Sequence, residues 1–257
     1  MFVWAGLLSS PVAAASELEV DAELFLAVDV SRSMTPRELE IQRRGYAEAL
    51  TSREVVSAIR KGLLGRVAVT YVEWAGNFSQ RVIVDWTLIS NQQEAEDFAD
   101  RLTAEFNTAM RRTSISGALD YAAGQFEGNG FISNRHIVDI SGDGPNNQGR
   151  PVTGARDDAL ARGIVINGLP LMTREGMGSQ FTLEDLDDYY RNCVIGGPGA
   201  FVVPVYDWEQ FPAAVRQKLV LDLAEPTELP VIRASFKGAA ETGYDCLIGE
   251  KIWQQIQ

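Results

Sequence analysis

Histidine and cysteine are scarce in this sequence of 257 residues, which contains one histidine, His136, and two cysteines, Cys193 and Cys246. A single histidine cannot build a transition-metal site, and the sequence has no CxxC pair or Cys/His cluster. The sequence therefore excludes a Cys/His metal site. His136 begins a predicted strand and has no visible acid–base partner, which indicates a structural role rather than a catalytic one.

Basic residues are also in the minority: 23 Lys and Arg stand against 35 Asp and Glu, for a net charge of -12. A surface of this sign repels phosphate backbones and anionic lipids, so we expect no nucleic-acid partner. Solubility is a sufficient explanation of the acidity itself.

Long apolar runs are absent too, and the apolar stretch at residues 2–8 is too short to span a bilayer. We therefore expect no integral membrane anchor. Residues 2–15 carry no charge, and Ala13 and Ala15 fit a signal-peptidase site before Ser16. We interpret residues 1–15 as a signal peptide that lacks a basic n-region, and expect a periplasmic or secreted protein. The alternative is an apolar N-terminus of a cytosolic protein.

Export would allow Cys193 and Cys246 to pair, because disulfides persist in oxidising compartments. A loop of that length would stabilise the fold by roughly 3–4 kcal/mol on a chain-entropy estimate. The alternative is two unrelated buried thiols.

Helical and strand patterns alternate along the chain with few breaks. Thr35 is a predicted N-cap, Pro36 the first helical residue and Glu38 the partner in a capping box. The predicted helices are residues 36–63, 92–104, 115–126, 154–162, 183–193, 208–223 and 248–256. The predicted strands are residues 24–28, 67–72, 81–86, 136–140, 164–169 and 200–205, of which 81–86 alternates as an antiparallel edge strand does.

This order predicts an α/β fold: a doubly wound, mostly parallel sheet with one antiparallel edge strand and helices on both faces. The sequence shows no repeat or low-complexity linker, so we assign residues 21–225 to one domain. Residues 226–257 are a predicted tail, which a disulfide at Cys246 would tether.

The most informative motif is Asp29-Val-Ser31-Arg-Ser33, which directly follows the apolar run at residues 24–28. A continuous apolar run of this length is typical of a buried parallel strand. Side chains at the end of such a strand converge on the crevice at the carboxyl edge of the sheet. Oxygen ligands of this kind suit Mg²⁺, Mn²⁺ or Ca²⁺.

Two further oxygen-bearing residues follow the same placement: Thr113 precedes a predicted helix, and Asp143 ends the strand that begins near His136. Each has a simpler alternative role: Thr113 could cap its helix, and Asp143-Gly144 could be present only because these residue types favour a turn. Ser31 and Ser33 could likewise cap the first helix. Together with Asp29, the set favours a metal site.

These motifs resemble the von Willebrand factor A-type domain, with its metal-ion-dependent adhesion site. The resemblance covers residues 24–223 and includes the strand–helix order. Glu73-Trp74, the segment at residues 194–201 and the Cys193/Cys246 pair are similar to a bacterial branch of unknown function. The resemblance implies that Ser31, Ser33 and Thr113 coordinate an ion directly or through water. It implies that Asp29 and Asp143 are direct or water-mediated ligands.

Two carboxylates only just neutralise a divalent ion, and an octahedral Mg²⁺ would keep at least one water-filled position. A carboxylate from a protein partner could replace that water, so the leading hypothesis is an exported, non-enzymatic, metal-dependent binding module. The second hypothesis is a metal-assisted hydrolase or phosphotransferase with Asp29 as nucleophile, although no His or Lys accompanies the motif. The third is a metal-free scaffold.

Overall fold

The computed structural model describes residues 17–106, 109–173, 183–224 and 243–256. Its strands are β1 Leu18–Glu19, β2 Glu23–Asp29, β3 Val67–Trp74, β4 Gln80–Ile89, β5 Phe131–Ile132, β6 His136–Gly142 and β7 Ile164–Pro170. Its helices are α1 Pro36–Thr51, α2 Arg53–Lys61, α3 Gln92–Thr103, α4 Ile115–Ala123, α5 Val152–Ala161, α6 Leu186–Tyr189, α7 Phe211–Leu223 and α8 Ile248–Ile256. A π-helical turn, Tyr190–Val194, extends α6, and a 3₁₀ turn, Trp208–Gln210, precedes α7.

The main sheet has the strand order β4-β3-β2-β6-β7. All its neighbouring strands are parallel except β4, which pairs antiparallel with β3 at one edge. Every residue of β2, the central strand, is buried, as expected for a parallel strand covered on both faces. The structure therefore confirms the predicted fold class and the antiparallel edge strand. It adds a small parallel sheet of β1 and β5 that the sequence did not predict.

Two apolar cores lie on opposite faces of this sheet. One packs α1, α2, α3 and α7 against residues such as Leu24, Leu26 and Tyr71. The other packs α4, α5 and α6 against alternate residues such as Phe25 and Ala27. Because successive strand residues point to opposite faces, one apolar run in β2 supplies both cores.

The capping box predicted at the start of α1 is present: Thr35 Oγ1 accepts from Glu38 N, and Glu38 Oε2 accepts from Thr35 N at 2.6 Å. The single helix predicted for residues 36–63 was wrong, because the chain breaks at Ser52. There ψ is 148°, and the Ser52 hydroxyl accepts from Val55 N and so caps α2. The first helix therefore ends at Thr51, and a second helix begins at Arg53.

The strand predicted for residues 200–205 was also wrong. Only two isolated bridges form, Gly168 with Val202 and Leu171 with Val205. Pro204 lies between the two bridged residues and has no N–H to donate to a continuous ladder.

The C-terminal helix α8 has the predicted bounds, and Cys246 just before it forms a disulfide with Cys193, with the two Cα atoms 5.5 Å apart. This is the pairing that the sequence hypothesis put forward. The proposed signal peptide at residues 1–15 and the tail residues 226–242 lie outside the described residues. Within the described ranges, no helix is both long and apolar enough to cross a membrane.

Candidate metal centre

Asp29 is the last residue of β2 and lies at the carboxyl edge of the sheet. Its side chain is fully buried. Oδ1 accepts a 2.7 Å hydrogen bond from Ser31 N, which bends the chain back over the strand end. Oδ2 has no hydrogen-bond partner in the described structure. A buried carboxylate oxygen without a partner is costly, so this atom marks a position where a positive ligand would be stabilising.

Ser31, Ser33 and Asp143 form a chain of contacts across two loops. The hydroxyls of Ser31 and Ser33 lie 3.0 Å apart, and Ser33 Oγ donates to Asp143 Oδ1 at 2.9 Å. The loop after β2 therefore meets the loop after β6, as expected for neighbouring parallel strands. Asp29 joins this chain through its hydrogen bond with Ser31. The structure therefore brings together four of the five predicted residues: Asp29, Ser31, Ser33 and Asp143.

Thr113 reaches the same edge through its backbone. Its N–H donates to Asn147 Oδ1 at 3.1 Å, and its carbonyl accepts from Asn147 N at 2.9 Å. Within the described residues, no hydrogen bond joins its side chain to the other four predicted residues. The N-cap of α4 is Ser114, whose hydroxyl accepts from Gly117 N, so the capping role considered for Thr113 was wrong. The Thr113 hydroxyl is thereby left for another role.

Asn146 and Asn147 are site residues that the sequence analysis missed. Asn146 is fully buried and joins three elements: Oδ1 accepts from Ser116 N, N–H donates to Tyr189 Oη, and Nδ2 donates to Glu250 Oε1 of α8 at 2.7 Å. Two polar residues just after Asp143-Gly144-Pro145 were a visible signal of a structured loop. The partnership with Glu250, 104 residues away, had no local signal.

Gly142 and Tyr190 complete the floor of the site and were also missed. A Cβ atom at Gly142 would lie 2.9 Å from Tyr190 Oη and 3.0 Å from Asp29 Oδ2. Only glycine therefore allows β6 to pass this close to the Asp29 carboxylate. Tyr190 Oη is buried and has no hydrogen-bond partner in the described structure.

The electrostatics of the site favour a bound cation. Burial raises the pKa of Asp29 well above its usual range, and the nearby Asp143 raises it further, against the opposing hydrogen bond from Ser31 N. Loss of surrounding water also raises the pKa of Asp143, and the hydrogen bond from Ser33 opposes that shift. A fully buried and a half-buried carboxylate held together are the kind of pair that a divalent ion neutralises.

The donor set consists of oxygen atoms alone. No group of three or more His, Cys, Asp or Glu with metal-binding geometry occurs in the described part of the chain, and this site has only two carboxylates beside its hydroxyls. His136 lies at the amino end of β6, where it pairs with Glu23 at 3.4 Å and stacks on Phe126. Since β6 rises about 3.3 Å per residue, His136 lies roughly 20 Å from Asp143. Glu23 is an acid–base partner of His136 that the sequence did not show, and the structural role of His136 stays a prediction.

The solved structures that share this fold include a pilus adhesin, a mussel byssus protein and a von Willebrand factor type A protein. The pilus adhesin SpaC from Lactobacillus rhamnosus GG has a TM-score of 0.57 at 11% identity, over 81% of this chain and 31% of that one. Proximal thread matrix protein 1 from the mussel byssus, with a zinc-occupied MIDAS motif, has a TM-score of 0.54 at 17% identity, over 81% and 49%. A von Willebrand factor type A protein from Catenulispora acidiphila has a TM-score of 0.53 at 11% identity, over 79% and 43%.

This chain thus spans less than half the length of each of these three proteins. At such identities the likeness concerns the fold, which is of the von Willebrand factor A type. No curated protein matches this chain in sequence. A family model described as a protein of unknown function, DUF1194, matches residues 19–227, and the chain belongs to that family.

Proposed function

We propose that this protein is an exported, non-enzymatic binding module that recognises a protein partner through a divalent metal ion. The observation that carries the proposal is Asp29 Oδ2, a buried carboxylate oxygen without a partner in the described structure. It belongs to the same group of contacts as the Ser31 and Ser33 hydroxyls and Asp143.

The residues present fit a hard cation such as Mg²⁺, Mn²⁺ or Ca²⁺. The hydroxyls of Ser31, Ser33 and Thr113 would hold the ion directly or through water, and Asp29 and Asp143 would supply its countercharge. When bound, the ion supplies an electrophilic position that a carboxylate of the partner occupies. The mussel protein with a zinc-occupied MIDAS motif and the pilus adhesin share the fold, which supports this proposal.

Catalysis by Asp29 has less support. The side chain is fully buried, so a substrate cannot approach it as an in-line nucleophile would require. Both cysteines are in the disulfide, and Lys218 is buried in an ion pair with Asp139. The described structure therefore places no His, Cys or Lys beside the site as a base.

Export is supported by the disulfide between Cys193 and Cys246, because such bonds persist in oxidising compartments. We propose the periplasm or the extracellular space as the location, with residues 1–15 as the signal peptide. Neither a nucleic-acid partner nor an integral membrane anchor forms part of the proposal.

Thermal unfolding in EDTA, Mg²⁺ and Mn²⁺ tests the metal site with wild type, Asp29→Asn and the control Asp100→Asn, an exposed position on α3. Metal should raise the Tm of wild type and of the control by about 5–10 °C at a hundredfold excess over Kd, but not that of Asp29→Asn. In EDTA, Asp29→Asn should be at least as stable as wild type, because the amide keeps the bond from Ser31 and removes a desolvated charge.

Asp29→Asn should thus be at least as stable as wild type in EDTA but less stable than wild type in metal. This reversal of relative stability distinguishes the loss of a metal site from a folding defect. An equal response of all three proteins to metal would reject the metal site and favour a metal-free scaffold.

A further inference from the structure

An exposed phenylalanine lies beside the candidate metal centre. Phe78 is 94% exposed in the turn between β3 and β4, which starts at the carboxyl edge of the sheet. The turn is well defined: Ala75 N donates to Ser79 O, and Ser79 N donates to Gly76 O. A rigid turn thus holds a large apolar ring in solvent, where it is accessible to a partner.

This turn packs directly against the segment that carries Thr113. Ser114 N donates to Ala75 O at 2.7 Å, and Asn77 N donates to Gln148 Oε1 in the loop after β6 at 3.1 Å. A Cβ atom at Gly76 would lie 3.0 Å from Arg111 O and 3.4 Å from Arg112 Cβ. The turn that carries Phe78 therefore contacts, through Gly76, the two arginines that lead into Thr113.

Three exposed arginines surround the predicted ligands. Arg32 lies between Ser31 and Ser33, and Arg111 and Arg112 precede Thr113. Arg32 and Arg111 form no ion pair with any described residue, although the chain has an excess of twelve negative charges. We call Phe78, Arg32, Arg111 and Arg112 the arginine rim.

Arg112 is held in an unusual conformation. Its φ is 75°, the one positive φ among the described residues other than glycine, and its guanidinium lies 4.1 Å from the centre of the Trp253 ring of α8. Backbone strain of this kind persists only where the surroundings enforce it, and it concentrates at binding sites. Here α8, anchored next to Asn146 by Glu250, presents the ring on which Arg112 is fixed.

Other charges near this edge do not cancel the rim. Glu38 is buried and bonded to Trp208, and Glu250 is bonded to Asn146. The exposed Asp207 and Glu209 flank Trp208, which packs with α1 and α7 on the face of the sheet opposite α4. Arg150 is already paired with Asp120 and Asp158. Within the described residues, the charge that is left without an ion pair next to Thr113 is therefore positive, that of Arg111.

We propose that the arginine rim recognises an acidic protein segment whose metal-binding carboxylate is flanked by a further carboxylate and an apolar side chain. Arg32 and Arg111 would attract the additional acidic group, and Phe78 would be covered by the apolar one. Aromatic residues and arginine dominate the energetic centres of protein interfaces, and complementary charge selects the partner. This inference rests on the proposed function and specifies the chemistry of its partner.

A displayed peptide library tests the proposal. Each peptide carries one fixed central Asp and randomised neighbours, and the full chain selects from it in Mg²⁺ and in EDTA. Peptides that depend on Mg²⁺ should be enriched in Asp or Glu and in Leu, Phe or Trp beside the fixed Asp, and depleted in Lys and Arg. Their affinity should fall as NaCl is raised, because the rim is exposed.

Variants then assign the effect to the rim. Phe78→Ala and Arg111→Gln should each weaken the selected peptide about tenfold. The matched controls Leu63→Ala and Arg53→Gln, which change exposed residues in the connection from α2 to β3 and at the start of α2, should leave Kd within about twofold. All four variants should keep the Mg²⁺-induced rise in Tm, which shows that fold and metal site are intact.

Selection of Mg²⁺-dependent peptides with neutral or basic neighbours, or equal binding by the rim variants, would overturn the inference and leave the proposed function standing. Equal selection in Mg²⁺ and EDTA, or no enrichment in either, would overturn both.

Discussion

Ser33 donates a 2.9 Å hydrogen bond to the carboxylate of Asp143, joining two residues that are 110 positions apart in the chain. The bond connects the loop after the central strand β2 with the loop after its neighbour β6. Each loop is anchored independently, the first by Asp29 and the second by Asn146. The contact between their side chains therefore follows from the register of two parallel strands.

The close approach of β6 to Asp29 predicts a steric effect of Gly142→Ala. The added methyl group would meet both Tyr190 Oη and Asp29 Oδ2 at about 3 Å, so we expect the free energy of unfolding to fall by about 1–3 kcal/mol. Urea denaturation measures this loss. Gly144→Ala is the matched control, because a Cβ there has no neighbour within 4 Å. Equal effects of the two substitutions would contradict the tight packing at Gly142.

A buried charge cluster between β6 and α7 predicts a pH dependence of stability. Lys218 lies 2.9 Å from Asp139 and 3.2 Å from Asp222, so one buried cation faces two carboxylates. Burial raises the pKa of Asp139 from 3.8 to about 7, Lys218 opposes the shift, and Asp222 adds to it. Because the folded chain holds this proton more tightly than the unfolded chain, protonation of Asp139 stabilises the fold.

We therefore expect the contribution of Asp139 to be complete below pH 3.8 and lost as the pH rises through about 7. Its steepest loss is about 1.4 kcal/mol per pH unit. Asp139→Asn should remove this slope, so wild type should lose stability relative to the variant as the pH rises from 5 to 7. Urea denaturation at several pH values measures the difference. A constant difference, as expected for the exposed control Asp100→Asn, would count against a buried proton on Asp139.

The disulfide between Cys193 and Cys246 predicts a large loss of stability on its removal. The two residues are separated by 53 positions, and closing a loop of that size stabilises the fold by about 4 kcal/mol on the chain-entropy estimate. Cys246→Ser should lower the free energy of unfolding by that amount. Cys193→Ser should match it, and the double variant should add nothing. A reductant should destabilise wild type but none of the variants. If the variants lose less than about 1 kcal/mol in the free energy of unfolding, α8 and Tyr244 hold the tail without the disulfide.

Local patterns predicted much of the fold. The apolar runs located β2, β3, β6 and β7, the alternation at β4 marked an edge strand, and the capping box at Thr35 fixed the start of α1. Two local predictions were wrong, and each has a physical reason. Ser52 both ends α1 and caps α2, and apolar spacing alone carries no sign of such a break. Pro204 interrupts a run that otherwise reads as a strand.

The candidate site could be predicted only as a set of residue types at strand ends. The proximity of Asp29, Ser31, Ser33 and Asp143 follows from parallel strands, which the sequence made visible. The roles of Gly142, Tyr190 and Asn146 depend on distances between segments far apart in the chain. No periodicity encodes such distances. The metal-binding role of the set stays a prediction.

The site lies between two strands, β2 and β6, that are neighbours in the sheet but far apart in the sequence, and this has a consequence for folding. A chain that has not paired β2 with β6 contains the Asp29-Val-Ser31-Arg-Ser33 motif but not the assembled group, because Asp143 and the Thr113 loop are still elsewhere. Pairings between such distant segments form slowly. A cation would then bind the native state alone, so it would act mainly by slowing unfolding rather than by speeding folding. The assembled group of ligands is in this sense a product of the fold.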